Sequence, residues 1–369
     1  MFLKQLKLLN FRNYSNLSLE FDTRPTILLG NNAVGKSNLL ESIYFLSTTK
    51  SGRVETEVEL IKQDETVCRV EGKSLAEDGS DPPRFAGEAG KMEDGNTLEI
   101  VMQTIDGQFS KRVMVNGVPR RVVDFVGKLP AVIFYPSDIN MVTGSPNLRR
   151  WHLDLALAQI DGDYKKTITL YEQILTARNR VLKRIKMGEG GLDELVYWTQ
   201  ELLKMGQVIS DKRKVFFEFI NNLESKLGNF KFEYHPNNLT QERLDQYSSR
   251  EIAAAITLIG PHRDDFRFVI LENKKGRNLA HFGSRGEQRT ATLAFKLAQL
   301  EFMAKVLGKR PLLLLDDVFS ELDGKHRGSV IEIVTQQQTI IATVELEHIP
   351  KKFLDKARIL QVEDGKITE

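Results

Sequence analysis

The segment Gly30-Asn-Asn-Ala-Val-Gly-Lys-Ser37 limits the possible folds more than any other part of the chain. A short apolar run, Thr26 to Leu29, stops at its first glycine, and helical patterning follows from Ser37 to Leu46. A glycine-rich loop between a buried strand and a helix brings backbone N–H groups and the positive end of the helix dipole towards one point. The sequence therefore predicts a phosphate-binding loop inside an α/β fold.

The chemistry of such a loop assigns roles to its last residues. We expect Lys36 to reach the β and γ phosphates of ATP, and Ser37 to bind Mg²⁺ through its hydroxyl. The residues predicted to bind the nucleotide here are Gly30, Asn31, Asn32, Ala33, Val34, Gly35, Lys36, Ser37 and Asn38.

An apolar run that ends in two acids, Leu312-Leu-Leu-Leu-Asp-Asp317, predicts the second half of the same site. Asp316 would hold the Mg²⁺ shell, and Asp317 would orient or deprotonate the water that attacks the γ phosphate. The sequence contains no guanine-reading Asn/Thr-Lys-x-Asp motif, which argues against a GTPase. The loop and the acids alone leave a helicase or a small-molecule kinase open.

Composition narrows the class of protein less than the motifs do. The 369 residues are enough for two domains, and 41% hydrophobic with 28% charged residues is typical of a globular chain. With a net charge of +2, any contact with nucleic acid needs local basic patches. A single cysteine, Cys68, excludes an internal disulfide, and the apolar runs are too short to span a bilayer. We expect a cytoplasmic protein that does not bind a membrane.

Strands are expected on both sides of a helical middle region. Alternating residues predict two strands at the start of the chain, and strand-like sequence runs from Val54 to Val123. Asp106-Gly107 and Asn116-Gly117 predict hairpin turns within it, because both dipeptides tolerate positive φ. The composition of Glu77 to Gly95 predicts a loop.

Two helices joined by a glycine turn are predicted in the middle of the chain. Apolar residues fall at heptad spacing before Met187-Gly-Glu-Gly-Gly191 and alternate at three and four after it, except where Lys212 interrupts. This pattern indicates an antiparallel helical hairpin. The expected seam residues are Ile168, Tyr171, Leu175, Leu182, Ile185, Leu195, Trp198, Leu202, Met205, Ile209, Phe216, Phe219 and Leu223. We predict an ATPase domain from residues 1–130 and 258–369, with residues 131–257 inserted as a mainly helical lid.

A second motif suited to phosphate, Ser284-Arg-Gly-Glu-Gln288, precedes a helix predicted from Thr290 to Val306. A serine before a helix can cap it or present its N-terminus to an anion. The motif is followed by the acidic strand and then by Ser320-Glu-Leu-Asp323, an order that resembles ABC-type ATPases. The resemblance implies that Ser284 and Gly286 bind the γ phosphate held by a second copy of the chain.

Four further segments make the resemblance narrower, and the chain is similar to the RecF family of bacterial recombination mediators, which is related to SMC-type heads. The segments are Leu9-Asn-Phe-Arg-Asn-Tyr14, Pro136 to Pro146 with Arg149, Arg150 and Asp154, Gly260-Pro-His-Arg-Asp-Asp265, and Leu315 to Asp323. The resemblance implies an ATP-dependent homodimer that binds double-stranded DNA and single-strand/double-strand junctions. It implies RecR and RecO as partners in loading RecA, and it places Arg12 and Asn13 beside the nucleotide.

Departures from the ABC pattern predict slow turnover. The region of Phe134 to Asp138 lacks the glutamine that senses the γ phosphate in transporters, Thr343 stands where a histidine is usual, and Asp317 is shorter than the commoner glutamate. We therefore expect a weak ATPase that acts as a switch. The alternatives are the nucleotide-binding subunit of an ABC-type transporter and a non-catalytic, ATP-gated scaffold.

Basic clusters on the predicted hairpin are candidates for contact with DNA phosphates, which would give affinity without sequence preference. Arg149 and Arg150 are further candidates for nucleotide or DNA. No aromatic residues alternate with the basic ones as a single-strand stacking platform requires, so duplex binding is the better prediction. The clusters are Arg178, Arg180, Lys183, Arg184 and Lys186, and Lys212, Arg213 and Lys214.

Overall fold

The computed structural model describes residues 2–75, 95–272, 275–322 and 324–369. They form two compact units, Met1–Asp138 with Gln299–Glu369, and Ile139–Ala298. The loop predicted from Glu77 to Gly95 lies outside the described residues except for its last glycine, and so does Asp323 of the Ser-Glu-Leu-Asp motif.

Strands predominate in the first unit. The described strands of both units, in chain order, are β1 Phe2–Phe11, β2 Tyr14–Glu20, β3 Thr26–Leu29, β4 Val67–Leu75, β5 Asn96–Ile105, β6 Gln108–Val115, β7 Val118–Arg120, β8 Ala131–Phe134, β9 Phe230–His235, β10 Asp265–Glu272, β11 Lys275–Asn278, β12 Leu312–Asp316, β13 Thr339–Thr343, β14 Arg358–Glu363 and β15 Lys366–Thr368.

Helices predominate in the second unit. The described helices of both units, in chain order, are α1 Lys36–Thr48, α2 Val122–Phe125, α3 Asn140–Thr143, α4 Pro146–Ile160, α5 Gly162–Lys186, α6 Glu194–Asn221, α7 Gln241–Ala254, α8 Leu279–Phe282, α9 Arg285–Leu307, α10 Gly324–Val334 and α11 Lys351–Leu354. No described helix is long and apolar enough to cross a membrane.

The first unit contains a mostly parallel sheet in the order β15-β14-β3-β13-β12-β8. The strands from β14 to β8 run parallel, and β15 pairs antiparallel at one edge. β12 is buried along its whole length, as expected for a continuous apolar strand with neighbours on both sides. This sheet confirms the predicted α/β fold.

The first unit also contains an antiparallel sheet in the order β2-β1-β4-β5-β6-β7. Its hairpin turns lie where the sequence predicts them: Asp106, Gly107, Asn116 and Gly117 all have positive φ, between 51° and 76°. Helix α1 contacts both sheets and is buried on nearly every side, with Leu39, among others, fully inaccessible. The core of this unit therefore lies on the two sides of α1.

The predicted helical hairpin is confirmed in the second unit, where α5 packs against α6. Near its turn, Val181 and Leu182 of α5 form a buried cluster with Leu195 of α6. Lys212, which interrupts the second seam, is exposed, and the next residue, Arg213, is buried at 1% exposure.

A small antiparallel sheet, β11-β10-β9, completes the second unit together with an aromatic core. Phe295 of α9 stacks on Phe266 with ring centroids 5.2 Å apart, and it meets Phe232 edge-on at 5.1 Å. Aromatic pairs in such geometries stabilise beyond their buried area. They fix α9 on the small sheet.

The compact units differ from the predicted division at both ends of the insert. Strand β8 pairs in parallel with β12, so residues up to Asp138 group with the first unit. Residues 258–298 group with the second unit, where β10 pairs with β9. That the insert acts as a separate lid domain stays a prediction.

Candidate nucleotide site

A cavity of about 310 Å³ opens at the carboxyl ends of four neighbouring parallel strands in the first unit. Ligands of open α/β sheets bind at this edge, because the loops that leave the strands meet there. The cavity is lined by Asn32, Ala33, Gly35, Lys36, Ser37, Asn38, Arg53, Pro136, Asp316, Asp317 and Val344. The structure thus brings most of the predicted loop together with both predicted acids.

The loop before α1 is held in a conformation that requires glycine. Gly35 has a φ of +117°, and a Cβ built on it would lie 2.5 Å from the side-chain nitrogen of Asn13. The Tyr14 hydroxyl donates to the Gly35 carbonyl at 3.0 Å. The turn between β1 and β2 therefore packs directly against the loop and fixes its path.

Asn13 supports the loop from outside the cavity. Its side-chain nitrogen donates to the Val34 carbonyl at 3.1 Å, and its oxygen accepts from Asn38 at 2.9 Å. Arg12 makes two 3.0 Å contacts with Glu41 and does not line the cavity. Direct contact of Arg12 and Asn13 with a nucleotide stays a prediction.

The Lys36 ammonium is buried and is held by the loop itself. It donates to the carbonyls of Gly30 at 2.7 Å and Asn31 at 2.6 Å. Burial lowers the pKa of Lys36, and the charges of Asp316 and Asp317 oppose that shift. A phosphate oxygen entering the cavity would offer this cation a stronger acceptor than a neutral carbonyl.

Ser37 and Asp316 both line the cavity. Burial raises the pKa of Asp316, and the nearby Ser37 hydroxyl opposes the shift. Among the described residues no group of three or more His, Cys, Asp or Glu side chains could hold a metal by itself. A hydroxyl and one carboxylate fit Mg²⁺, which prefers oxygen ligands and completes its shell with water and phosphate.

Asp317 is held in an unusual backbone conformation beside Asp316. Its φ is +49°, in the left-handed region, and its N–H donates to the Ala342 carbonyl of the neighbouring strand at 2.9 Å. Its buried Oδ1 has no hydrogen-bond partner among the described residues. A buried acceptor without a partner in a strained residue is typical of a functional position.

Arg53 lines the cavity but was not singled out from the sequence. Its guanidinium lies 5.5 Å from the centre of the Tyr135 ring and donates to Asn38 at 3.1 Å and Glu41 at 2.9 Å. It lies in an irregular segment after α1, where no local motif marks it. Only the fold brings this cation to the edge of the phosphate loop.

The segments in which ABC-type transporters carry the γ-phosphate-sensing glutamine and the usual histidine also reach the cavity. Pro136 and Val344, which follow β8 and β13, both line it. The Thr343 hydroxyl donates to the Glu345 carbonyl at 3.0 Å, so it is already engaged by its own loop.

The second phosphate motif begins helix α9, which starts at Arg285 rather than at the predicted Thr290. Glu287 N–H donates to the Ser284 hydroxyl at 3.2 Å, and the Glu287 carboxylate accepts from Ser284 N–H at 2.7 Å. This reciprocal pair is a capping box, which satisfies two N–H groups at the helix start. The hydroxyl proton of Ser284 is not used by that contact.

The two glycines of this motif differ in their surroundings. A Cβ on Gly283 would lie 2.6 Å from the Leu279 carbonyl, so packing within the chain explains that glycine. A Cβ on Gly286 would meet no described atom within 4 Å. Glycine in a helix is less favourable than alanine, so local structure gives no reason for Gly286.

Two arginines predicted to contact DNA are buried and paired instead. Arg178 donates to Glu251 at 2.7 Å, and Arg213 donates to Asp154 and Asp264 at 2.8 and 2.7 Å. A buried guanidinium is tolerated only with such partners, so the prediction is wrong for these two residues. The cluster residues that stay exposed are Arg180, Lys183, Arg184, Lys186, Lys212 and Lys214.

The arginines at the start of α4 are also engaged within the chain. Arg149 makes contacts of 2.6 and 3.1 Å with the two carboxylate oxygens of Asp265. Arg150 donates to the backbone carbonyl of Asp264. This ion pair and this hydrogen bond explain why two cations are tolerated near the start of a helix, where the dipole disfavours them.

The mostly parallel sheet, the glycine loop and the paired acids define the class of P-loop, ABC-type ATPase heads. The model of the RecF/RecN/SMC N-terminal domain family matches residues 2–368. Within that class the chain belongs to the RecF family. It is 35% identical over 397 residues to the DNA replication and repair protein RecF of Herpetosiphon aurantiacus, covering 100% of this chain and 99% of that protein.

Solved structures agree with this assignment. The recombination mediator protein RecF-ATP of the RecFOR pathway superposes with a TM-score of 0.84 at 28% identity, covering 100% of this chain and 97% of that one. The Smc head domain of Pyrococcus furiosus shares the fold, with a TM-score of 0.55 at 16% identity over 100% of this chain and 96% of that one.

Proposed function

We propose that this protein is an ATP-dependent DNA clamp of recombinational repair. Two copies pair when ATP is bound, hold double-stranded DNA near single-strand gaps, and help to load RecA together with RecO and RecR in the cytoplasm. The names of the relatives support repair and ATP binding. The observation that carries the ATP-dependent part is the cavity in which the glycine loop, Lys36, Asp316 and Asp317 meet.

Each residue of the cavity has a proposed role. The loop N–H groups and Lys36 bind the β and γ phosphates, and Ser37 and Asp316 hold Mg²⁺, which neutralises phosphate charge when bound. Asp317 orients or deprotonates the attacking water, because its Oδ1 is buried without a described partner. Arg53 adds a cation at the edge of the same cavity.

The second copy supplies Ser284 and the start of α9 to the γ phosphate. The Ser284 hydroxyl accepts from Glu287 N–H and retains its own proton to donate to an anion. Gly286 supports this proposal because its open side leaves room for a close approach that a Cβ would restrict. Helix N-termini with free N–H groups bind phosphate readily.

Hydrolysis serves as a slow switch. The carboxylate of Asp317 is one methylene shorter than that of a glutamate, and the Thr343 hydroxyl is bound to its own loop. Neither residue reproduces the glutamate and histidine of fast ABC-type ATPases. Slow turnover keeps the ATP-bound pair on DNA long enough for partners to act.

The C-terminal half of α5 is the best candidate surface for duplex DNA. Lys212 is exposed but pairs with Asp161 at 2.7 Å, and Arg180, Lys183 and Lys186 are exposed together on α5. Exposed cations on one helix can follow a phosphate backbone without reading bases.

Light scattering with and without ATP tests the proposal. The wild-type protein should pair only with ATP, and Lys36→Met should bind no nucleotide and stay single. Ser284→Arg should bind ATP as a single copy with nearly unchanged affinity but fail to pair and fail to retain duplex DNA. Loss of nucleotide binding in Ser284→Arg would instead place this motif in the site of its own chain and contradict the two-copy arrangement.

A further inference from the structure

Arg277 of β11 clamps both ends of the segment that carries Ser284. Its guanidinium donates to the Phe282 carbonyl at 2.6 Å, just before the motif. It also donates to both carboxylate oxygens of Glu287, at 2.6 and 3.2 Å, and to Glu272 at 2.8 Å. One side chain from a neighbouring strand therefore fixes the loop and the first turn of α9.

Glu287, the acid of the capping box, places a negative charge close to the proposed phosphate contact of Ser284. Glu287 accepts from Ser284 N–H and so orders the helix start, but it also places a carboxylate one turn from the proposed γ-phosphate contact. Hydrogen bonds from Arg277, and then from Ser284, lower the pKa of Glu287 to about 2, so the carboxylate is charged at neutral pH. A like charge so near an anion site opposes binding.

The geometry points to Arg277 as a positioning residue for the two-copy ATP site: it neutralises Glu287 so that the helix start can be capped by an acid and still attract a phosphate. The guanidinium and the Glu287 carboxylate form a bidentate pair that is close to neutral by itself, while Glu272 shares the same guanidinium. Both side chains are about one third accessible, 30% and 31%, so the pair lies at the surface where a second copy would approach. This inference rests on the proposed function.

A double-mutant cycle on Arg277 and Glu287 tests this role, with ATP-dependent pairing measured by light scattering. Arg277→Gln leaves Glu287 uncompensated and should raise the ATP concentration needed for pairing about ten-fold. Arg277→Gln combined with Glu287→Gln should return pairing close to the wild-type level, because the carboxylate bonded to the Ser284 N–H is then neutral; Glu272 stays charged in both variants. Arg277→Lys keeps the cation and should stay near the wild type. Lys275→Gln, an exposed residue of the same strand, is the matched control for net charge and should have no effect.

Two more measurements separate the charge effect from a merely structural one. Added salt should shrink the defect of Arg277→Gln, because exposed charges are screened, whereas a misplaced loop would not respond in this way. ATP binding to single copies should be unchanged in every variant, since the glycine loop is not touched.

The outcomes distinguish the inference from the function on which it rests. If the wild type does not pair with ATP, the proposed function fails, and this role of Arg277 fails with it. If the wild type pairs and Ser284→Arg does not, the function stands. The inference is then overturned either by normal pairing in Arg277→Gln or by a double variant as defective as Arg277→Gln.

Discussion

The loop from Gly30 to Ser37 and the segment from Gly283 to Arg289 both lead into a helix and both carry small residues, yet they are built differently. The first loop lines a cavity, its Gly35 has a positive φ, and its backbone carbonyls accept hydrogen bonds from Lys36. The second segment is exposed from Ser284 to Gly286, its helix start is satisfied by a capping box, and a Cβ on Gly286 would meet open space.

Gly35 and Gly286 differ in whether neighbouring residues of the same chain require a glycine. Gly35 is required by the chain's own packing, because Asn13 and Tyr14 occupy the space that a side chain would need. Gly286 is not required by any described neighbour. A position that is unexplained within one chain is a reasonable place to expect a contact from outside it.

The largest effect on stability is expected for Gly35→Ala. Alanine at a φ of +117° is strained, and its Cβ would displace the Asn13 side chain that supports the loop. We expect the free energy of unfolding to fall by about 1–3 kcal/mol. Nucleotide binding should be lost with it, and denaturant titration and nucleotide titration measure the two effects. Wild-type stability in this variant would show that the loop is not held as described.

A smaller, pH-dependent effect is expected for Glu287→Gln. The pKa of Glu287 is lowered from the usual 4.5 to about 2 by Arg277 and Ser284, so its carboxylate stabilises the fold above pH 4.5. That contribution is lost as the pH falls from 4.5 towards 2. Because the pair is partly exposed, we expect under about 1 kcal/mol at neutral pH. Melting temperatures of the wild type and the variant should converge in acid; a constant difference would contradict the assignment.

The smallest effect on the fold is expected for Gly286→Ala. Its Cβ would enter open space, so the free energy of unfolding should change by no more than about 0.5 kcal/mol. ATP binding to single copies should be unchanged while ATP-dependent pairing is lost. Gly283→Ala is the matched control, because a clash with the Leu279 carbonyl should destabilise it. Normal pairing of Gly286→Ala by light scattering would remove the main contrast between the two segments.

Local patterns predicted the parts of the site that local physics determines. Hydrophobic runs and loop chemistry predict the strand from Thr26 to Leu29, the glycine loop and the two acids at the end of β12. The structure brings the loop and the acids to one cavity. The hairpin turns at Asp106-Gly107 and Asn116-Gly117 were predictable for the same reason, since a positive φ selects those residue types.

Charged residues could not be placed from the sequence in the same way. In Lys212-Arg-Lys214 the three cations look alike, but Arg213 is buried, because acids 51 and 59 positions away in the chain surround it. Arg53 likewise reaches Tyr135, 82 positions away, only in the folded chain. The break in the apolar seam falls at the neighbouring Lys212, which is exposed, so it did not identify Arg213.

The arrangement of the mostly parallel sheet has a consequence for synthesis on the ribosome. The only described strand neighbours of β3, which precedes the glycine loop, are β13 and β14, and both follow residue 338. The Val34 carbonyl of the loop also accepts from Gly365 N–H at 3.1 Å. During translation, the strand that positions the phosphate loop is thus made early and has to wait for nearly the whole chain before it gains its neighbours. Until then the nascent polypeptide has no finished nucleotide site, however soon its first hairpins form.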